Sequence, residues 1–348
     1  MSPQTKPAED SIPEEYAYEW SEKANIALED FLTKYKPSMV QNDGTKPWIW
    51  VRGKRSPNSN DENMAAATNE ASDYLKEVSE RVEAIKNDAA IPMRSNKKTG
   101  AKSKKEVREQ VQADAAEKLK EISVKYGYVW GKWLIFAPSD KVDSIWSNIA
   151  RSLVSGPLAA TSAFLTKVAT SPEFESPNYQ HVICLYIPDV YDKDSVTATM
   201  KVLLRNHGVN LSGVKSDMYT AIGLDSKHPS GIPSTVWKNT TLLKDTEIKE
   251  LKDAFFSDLS ATKSVDTVSA VPKNEEKTGE SANQSKRKPV LKKKAVASDP
   301  FASDNDDEQE LEQKEQIKPK KAVAKPIKRS QEESEDEQKP KTKKKKAT

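Results

Sequence analysis

Apolar residues recur in periodic groups from Ile12 to Leu259 and then stop; beyond that point the chain is mostly Lys, Glu, Asp, Ser and Pro. A segment that cannot bury apolar surface cannot offset the entropy lost on ordering, so the core has to come from the part before the break. The expected organisation is a disordered N-terminus over 1–13, one folded domain over 14–261 and a disordered Lys/Glu-rich tail over 262–348. The formal net charge of +3 hides the pattern of that tail. Lys286, Arg287, Lys288 and Lys292 to Lys294 are basic, Asp304 to Glu308 and Glu332 to Glu337 are largely acidic, and Lys343 to Lys346 is basic again. Charge blocks of this kind stay solvated.

Within the domain, Tyr16, Trp20, Ala24, Ala27, Leu28, Phe31 and Leu32 follow steps of three and four, which predicts a helix over 14–35 ended by Pro37. Trp48 to Val51 reads as a strand running into a polar loop from Arg52 to Asn60. Helical periodicity returns from Met64 to Ile85 and from Val107 to Ile122, a helical insertion over about 60–125. Ser103 and Glu106 have capping-box spacing, and the basic stretch Ile91 to Lys105 between the helices reads as a mobile connection. Further on, strands are expected at Trp133 to Ala137, Phe164 to Val168, Val182 to Ile187 and Met218 to Leu224. Helices are expected after Asp140 (ended by Gly156 and Pro157), after Asp192 or Asp194 (ended by Gly208) and after Asp245. This β-α-β-β-α-β order, with the Trp48 strand before it, predicts an α+β fold: a mainly antiparallel sheet with helices on one face and the other face open.

The sequence excludes several chemistries. Cys184 is the only cysteine, so no disulfide closes within the chain and no zinc site is built from several thiolates. His181, His207 and His228 lack metal-ligand spacing, and His207 near a helix end reads as a partner of the helix dipole. Cys184, inside an apolar strand, reads as a small buried thiol. No P-loop, Rossmann glycine pattern, nucleophile elbow or pair of catalytic carboxylates is present, and the 11 glycines are unclustered. The expectation is a protein that is not an enzyme and has no cofactor. Met1 to Glu15 lacks an apolar core and no run reaches the ~18 apolar residues of a membrane span, so the expected place is cytoplasmic, nuclear or both, away from membranes.

One constellation points to a ligand. Trp48, Trp50, Arg52, Lys54 and Arg55 lie near one strand, and Tyr128, Trp130, Lys132 and Trp133 near another. Aromatic planes beside cations hold single-stranded RNA by stacking and phosphate contact. Alternate tryptophans of the same strands also serve as core, and Trp130 cannot share a face with Trp133 in a regular strand. Ser56-Pro57-Asn58-Ser59, beside Arg52 and Arg55, reads either as a phosphate-holding loop or as a turn stabilised by its own side chains. In the tail, lysine clusters suit phosphate backbones or nuclear import, and Ser303 and Ser334 precede acidic runs typical of acidophilic phosphorylation sites.

Several ordered segments resemble a known family. Lys34-Tyr35-Lys36-Pro37-Ser38, Pro47-Trp48-Ile49-Trp50-Val51, Ser56-Pro57-Asn58-Ser59 and Gly131-Lys132-Trp133-Leu134 are similar to the basophilic leukaemia expressed protein family. So are Val142 to Ala150, Val182-Ile183-Cys184-Leu185-Tyr186 and Asp217 to Gly223; together the segments cover roughly 28–240 apart from the insertion. The resemblance implies a fold like that of translation initiation factor 4E, with a curved antiparallel sheet and helices on its convex side. It carries no defined activity with it, and function does not follow from fold.

That factor holds a methylated guanine between two tryptophans and pairs its edge with a glutamate. The resemblance puts the second tryptophan in the loop after the Phe164 strand, where this chain has Ala169 to Pro177 and no tryptophan. Phe174 is left to stack and Glu173 or Glu175 to pair, a departure that counts against cap recognition. Trp146 matches the helix position from which the factor presents a tryptophan to partner proteins, but with Val142, Ile145 and Ile149 it also completes an apolar stripe. The expected function is a non-enzymatic RNA- or nucleotide-associated binding protein. The alternatives are a protein–protein adaptor using the helical face and, more weakly, an enzyme acting on a phosphorylated small molecule.

Overall fold

A computed structural model describes residues 16–55, 61–174, 176 and 178–268, with side chains to 261. The proposed phosphate loop at 56–59, Glu175, Ser303, Ser334 and the rest of the tail from 269 on lie outside the described residues, whereas 262–268, expected as tail, continue the last helix. In chain order the elements are β1 (Glu19–Trp20), α1 (Leu28–Lys34), β2 (Trp48–Arg52), α2 (Asp61–Asn87), α3 (Lys104–Tyr126), β3 (Gly131–Pro138) and α4 (Val142–Ser155). They continue with β4 (Leu165–Ala169), β5 (Gln180–Ile187), α5 (Lys193–His207), β6 (Leu211–Ser216), α6 (Asp217–Ala221), α7 (Asn239–Leu242) and α8 (Asp245–Val268). The six strands form one sheet in the order β1-β2-β4-β5-β3-β6, antiparallel except for the short β1–β2 pair. The fold is therefore α+β with a mainly antiparallel sheet, as the element order predicts.

Strand alternation sorts the residues onto two faces. Ile49, Val51, Trp133, Ile135, Val168, Ile183, Leu185 and Val214 point to one of them and form the main core with Phe31 and Leu32 of α1, with α4 and with α5; Ile248 and Leu251 of α8 pack against it. A second core lies at the end of the sheet, where Ala67, Ala71, Leu75, Leu119 and Ile122 of the α2–α3 hairpin close over Tyr128, Trp130, Met218 and Tyr219. None of the described helices is long and apolar enough to cross a membrane.

Two glycines permit close approaches. A Cβ on Gly131 would overlap the Lys215 carbonyl oxygen and the Val190 side chain, so the start of β3 needs glycine for β6 to come this near. Gly208 ends α5 with φ +59°, and the Phe255 ring of α8 occupies the space beside it. The Ser103–Glu106 capping box is present in both directions at the start of α3, and Asp192 caps α5 by accepting from the Asp194 and Ser195 amides.

The structure corrects several sequence expectations. No helix covers 14–35: among the described residues it is confined to Leu28–Lys34, and Glu19–Trp20 pairs with Trp50 and Val51. Tyr16, Tyr18 and Trp20 also alternate by two, and the edge of β2 offered backbone hydrogen bonds that decided between the periods. Asp140 caps nothing; Lys141 is the N-cap of α4, without a side-chain bond, and Asp143 instead accepts from the Ser38 amide and hydroxyl. The last strand is Leu211–Ser216, and Met218–Ala221 is helical. The tight exit from α5 at Gly208 brings the chain straight back beside β3.

His207 is a further correction. Its Nε2 meets Ser152 Oγ at 3.0 Å, and burial lowers its pKa from 6.5 to about 4. The part-buried ring stays neutral down to about pH 4, and a neutral ring gains little from the dipole of α5. A depressed histidine pKa means that the unfolded chain binds more protons between pH 6.5 and 4, so stability is full above 6.5 and is lost as pH falls through that window. The full shift corresponds to up to about 3 kcal/mol, less what solvent screens at a ring that is not fully buried. Urea titrations across this range should show a steep loss of midpoint, and His207→Gln should flatten it.

Candidate nucleic-acid interface

The face of the sheet opposite the main core gathers Trp48, Trp50, Arg52 and Lys132 of the candidate residues. In register, Trp50, Lys167, Cys184 and Leu134 make one row across β2, β4, β5 and β3. Arg52, Leu165, Tyr186, Lys132 and Lys215 make the next, reaching β6. Trp48 starts β2 on the same side, and Tyr16 donates its hydroxyl to the Trp48 carbonyl at 2.7 Å.

At the centre is Lys167. Its Nζ lies 4.0 Å from the Trp48 ring centre, 4.7 Å from Trp50 and 5.7 Å from Tyr186. Trp50 and Tyr186 stack at 6.3 Å with 28° between their planes, and Lys132 Nζ approaches the Tyr186 ring at 5.3 Å. Three aromatic faces thus surround one ammonium, each contributing about 0.5–2 kcal/mol of attraction depending on desolvation. Lys132 also pairs with Asp217 at 3.1 Å, both side chains being about 5 % exposed. Cys184, in the first row, is buried.

This face is not bare, contrary to the expectation of an open surface. Lys167 is 1 % exposed and Trp50 and Tyr186 2 % each. Trp48 is half-buried, and the accessible residues lie at the two ends of β2. At one end Glu173 and Phe174 are exposed, Phe174 at 83 %. Their loop is tied to the approach to β2 by the Gln41–Ser171 bridge and by the bond from Thr170 Oγ1 to the Lys46 carbonyl. At the other end Arg52 pairs with Glu19 and Lys54 with Glu22 at 3.7 Å, and Arg55 donates to the Thr161 carbonyl. The cations read from the sequence at this end are therefore partly engaged already.

Trp130 and Trp133 part company: Trp133 enters the main core and Trp130, just before β3, the hairpin core, its ring tilted against Tyr128 at 4.7 Å. Neither lines the Lys167 face. Trp146 is fully buried on α4 among main-core residues, so its indole is not presented on the helical surface; the apolar stripe prevails over the partner-anchor reading.

Sequence reasoning missed Lys167, Tyr186 and Lys215. A signal was there: Lys167 interrupts the apolar run Phe164 to Val168 at the position that shares a face with Trp48 and Trp50, where a charge needs a reason. Among the described residues, no group of three or more His, Cys, Asp or Glu is placed to hold a metal ion.

The model of one protein family, basophilic leukemia-expressed protein Bles03, matches residues 2–221. The chain belongs to this family. In this Bles03 member the match spans β1 to α6 and so takes in every strand of the sheet, the Lys167 cluster and the Lys132–Asp217 pair.

Proposed function

We propose that this protein is a non-enzymatic RNA- or nucleotide-associated binding protein whose contact surface is the Trp48 end of the sheet face that carries Lys167. The observation that carries the reading is Trp48, a half-buried indole at the start of β2 with the buried ammonium of Lys167 4.0 Å from its ring centre. Lys132 and Lys215 stand directly opposite each other across β3 and β6. Lys132 is already paired with Asp217, so a phosphate arriving beside the two lysines competes with that carboxylate. A base stacked on Trp48 with its phosphate toward these lysines uses both features.

The same geometry disfavours a methylated, cationic base. Lys167 already engages the π-face that such a base would need, and a second cation on the same indole gains less. With Phe174 where a second tryptophan would be required, a neutral base fits better. The likeness to translation initiation factor 4E belongs to this proposal: a mainly antiparallel sheet with helices on one face supports it, and a cap ligand is not part of it.

Trp48→Ala should weaken binding of labelled single-stranded RNA by roughly 1–3 kcal/mol, about 5- to 100-fold, because stacking is lost while the fold keeps its buried tryptophans. Fluorescence anisotropy measures this, with circular dichroism to verify the fold. Unchanged affinity in a folded Trp48→Ala variant rules out the sheet face as the reader. The adaptor reading moves from Trp146 to α8, where Phe256 and Leu259 are exposed; it expects Trp48→Ala to be silent and Phe256→Ser to abolish partner binding.

A further inference from the structure

The connection between α2 and α3 is a built turn rather than a slack loop. Asn96 and Ala101 form an antiparallel bridge, and the Gly100 amide returns to the Asn96 carbonyl at 2.9 Å with φ +71° at Gly100. Asn96 Oδ1 accepts from the Lys98 amide, the Lys104 amide donates to the Pro92 carbonyl, and Lys104 Nζ reaches the Lys86 carbonyl at 2.7 Å. On this turn stand Arg94, Lys97, Lys98, Lys102, Lys104 and Lys105, all exposed except the half-buried Lys104, and Asp88 is the one carboxylate between Lys86 and Lys105.

The shaft of the hairpin has the opposite sign. From Glu70 to Glu83 on α2 and from Glu106 to Lys125 on α3, ten carboxylates stand against six cations, with Glu70 paired to Lys125. The cations are thus concentrated at the far end of α3, whose 23 residues place them about 34 Å from the Tyr126 end that leads into β3, at ~1.5 Å per residue. Six like charges fixed on an ordered turn repel one another, a cost that a polyanion removes. A single exposed apolar side chain there, Met93, is too little to insert into a bilayer, where each buried CH₂ contributes only about 0.8 kcal/mol.

We propose that the tip of the α2–α3 hairpin is a second nucleic-acid contact, one that holds the phosphate backbone of a single strand without reading its bases. This rests on the RNA-binding reading for the partner class but not on the sheet face for its geometry. The acidic shaft keeps the strand off the middle of the hairpin, so a long RNA is gripped at two separated points and a mononucleotide at the sheet alone.

The test uses the full chain with Lys97→Glu/Lys98→Glu, and Lys97→Arg/Lys98→Arg as the charge-conserving control. Binding of a labelled oligouridylate of roughly 20 nucleotides, longer than the ~4–16 that one binding fold covers, is measured against salt. The tail's lysines contribute equally to every variant. The reversal should lower the slope of log K against log salt by about 0.7 for each phosphate no longer neutralised and weaken binding about tenfold near 0.1 M salt, while the arginine control and the melting temperature stay unchanged. Mononucleotide binding should be unaffected by the reversal and weakened about 5- to 100-fold in Trp48→Ala, which separates failure of this proposal from failure of the sheet reading. An unchanged slope overturns the proposal. So does a reversal that abolishes sedimentation with phosphatidylserine vesicles while RNA binding persists, since the tip would then belong to a membrane surface.

Discussion

Asp217→Asn should destabilise the protein by about 3–5 kcal/mol, an effect larger than its single lost charge suggests. The carboxylate lies 3.1 Å from Lys132 Nζ with both side chains about 5 % exposed, so the substitution leaves an ammonium in a low-dielectric site without the group that balanced it. The Tyr186 face at 5.3 Å is a partial substitute. At about 0.5–2 kcal/mol it cannot replace the ion pair, which places the expected loss toward the lower end of the range. Lys132→Met/Asp217→Leu should recover much of the loss, because removing both charges removes both desolvation costs. Urea titration decides the matter: the midpoint should fall in the single variant at constant slope and rise again in the double. A single variant as stable as the parent would mean that the pair contributes nothing at this position.

The pair also links stability to the proposed site. Asp217 opens α6, directly after the strand that carries Lys215, and its amide donates to the Trp130 carbonyl at 3.1 Å. One residue therefore joins the end of β6 to the start of β3 and sets the charge beside Tyr186. A ligand phosphate near Lys132 competes with Asp217 for the same ammonium, so the double variant should be stable and yet weak in RNA binding.

How much of this was legible in the sequence depended on whether a signal was local. The capping box at Ser103, the strand at Trp48 and the helix after Asp192 follow from a few neighbouring residues and a fixed backbone geometry, and they stand where the pattern put them. The segment from Tyr16 to Trp20 satisfies both a helical and a strand period, and only a tertiary interaction, the edge of β2, chose between them. Lys167 belonged to no motif because its partners lie on β2 and β5, far off in the chain. Arg52 and Lys54 read as available cations for the opposite reason, since Glu19 and Glu22 lie some thirty residues earlier. Parity within a strand could not place Trp130, which lies just before β3, nor tell which face would be sealed.

Trp146 separates core from surface most sharply. Its side chain is fully buried on α4 in the main core, so Trp146→Ala removes the largest volume that this helix contributes and should cost about 3–5 kcal/mol. An anchor waiting on the helical surface would instead leave stability within about 0.5 kcal/mol of the parent. Among the described residues no acceptor meets the Trp146 Nε1, so the native indole already carries the cost of a buried donor. Trp146→Phe loses ring volume but also that unmet donor, and the two changes oppose each other. The phenylalanine variant should therefore fall by only about 1–2 kcal/mol, and thermal melting of the parent and the two variants should rank them in that order. If Trp146→Ala melts with the parent, the stripe of Val142, Ile149 and Leu153 is not what holds α4 to the sheet.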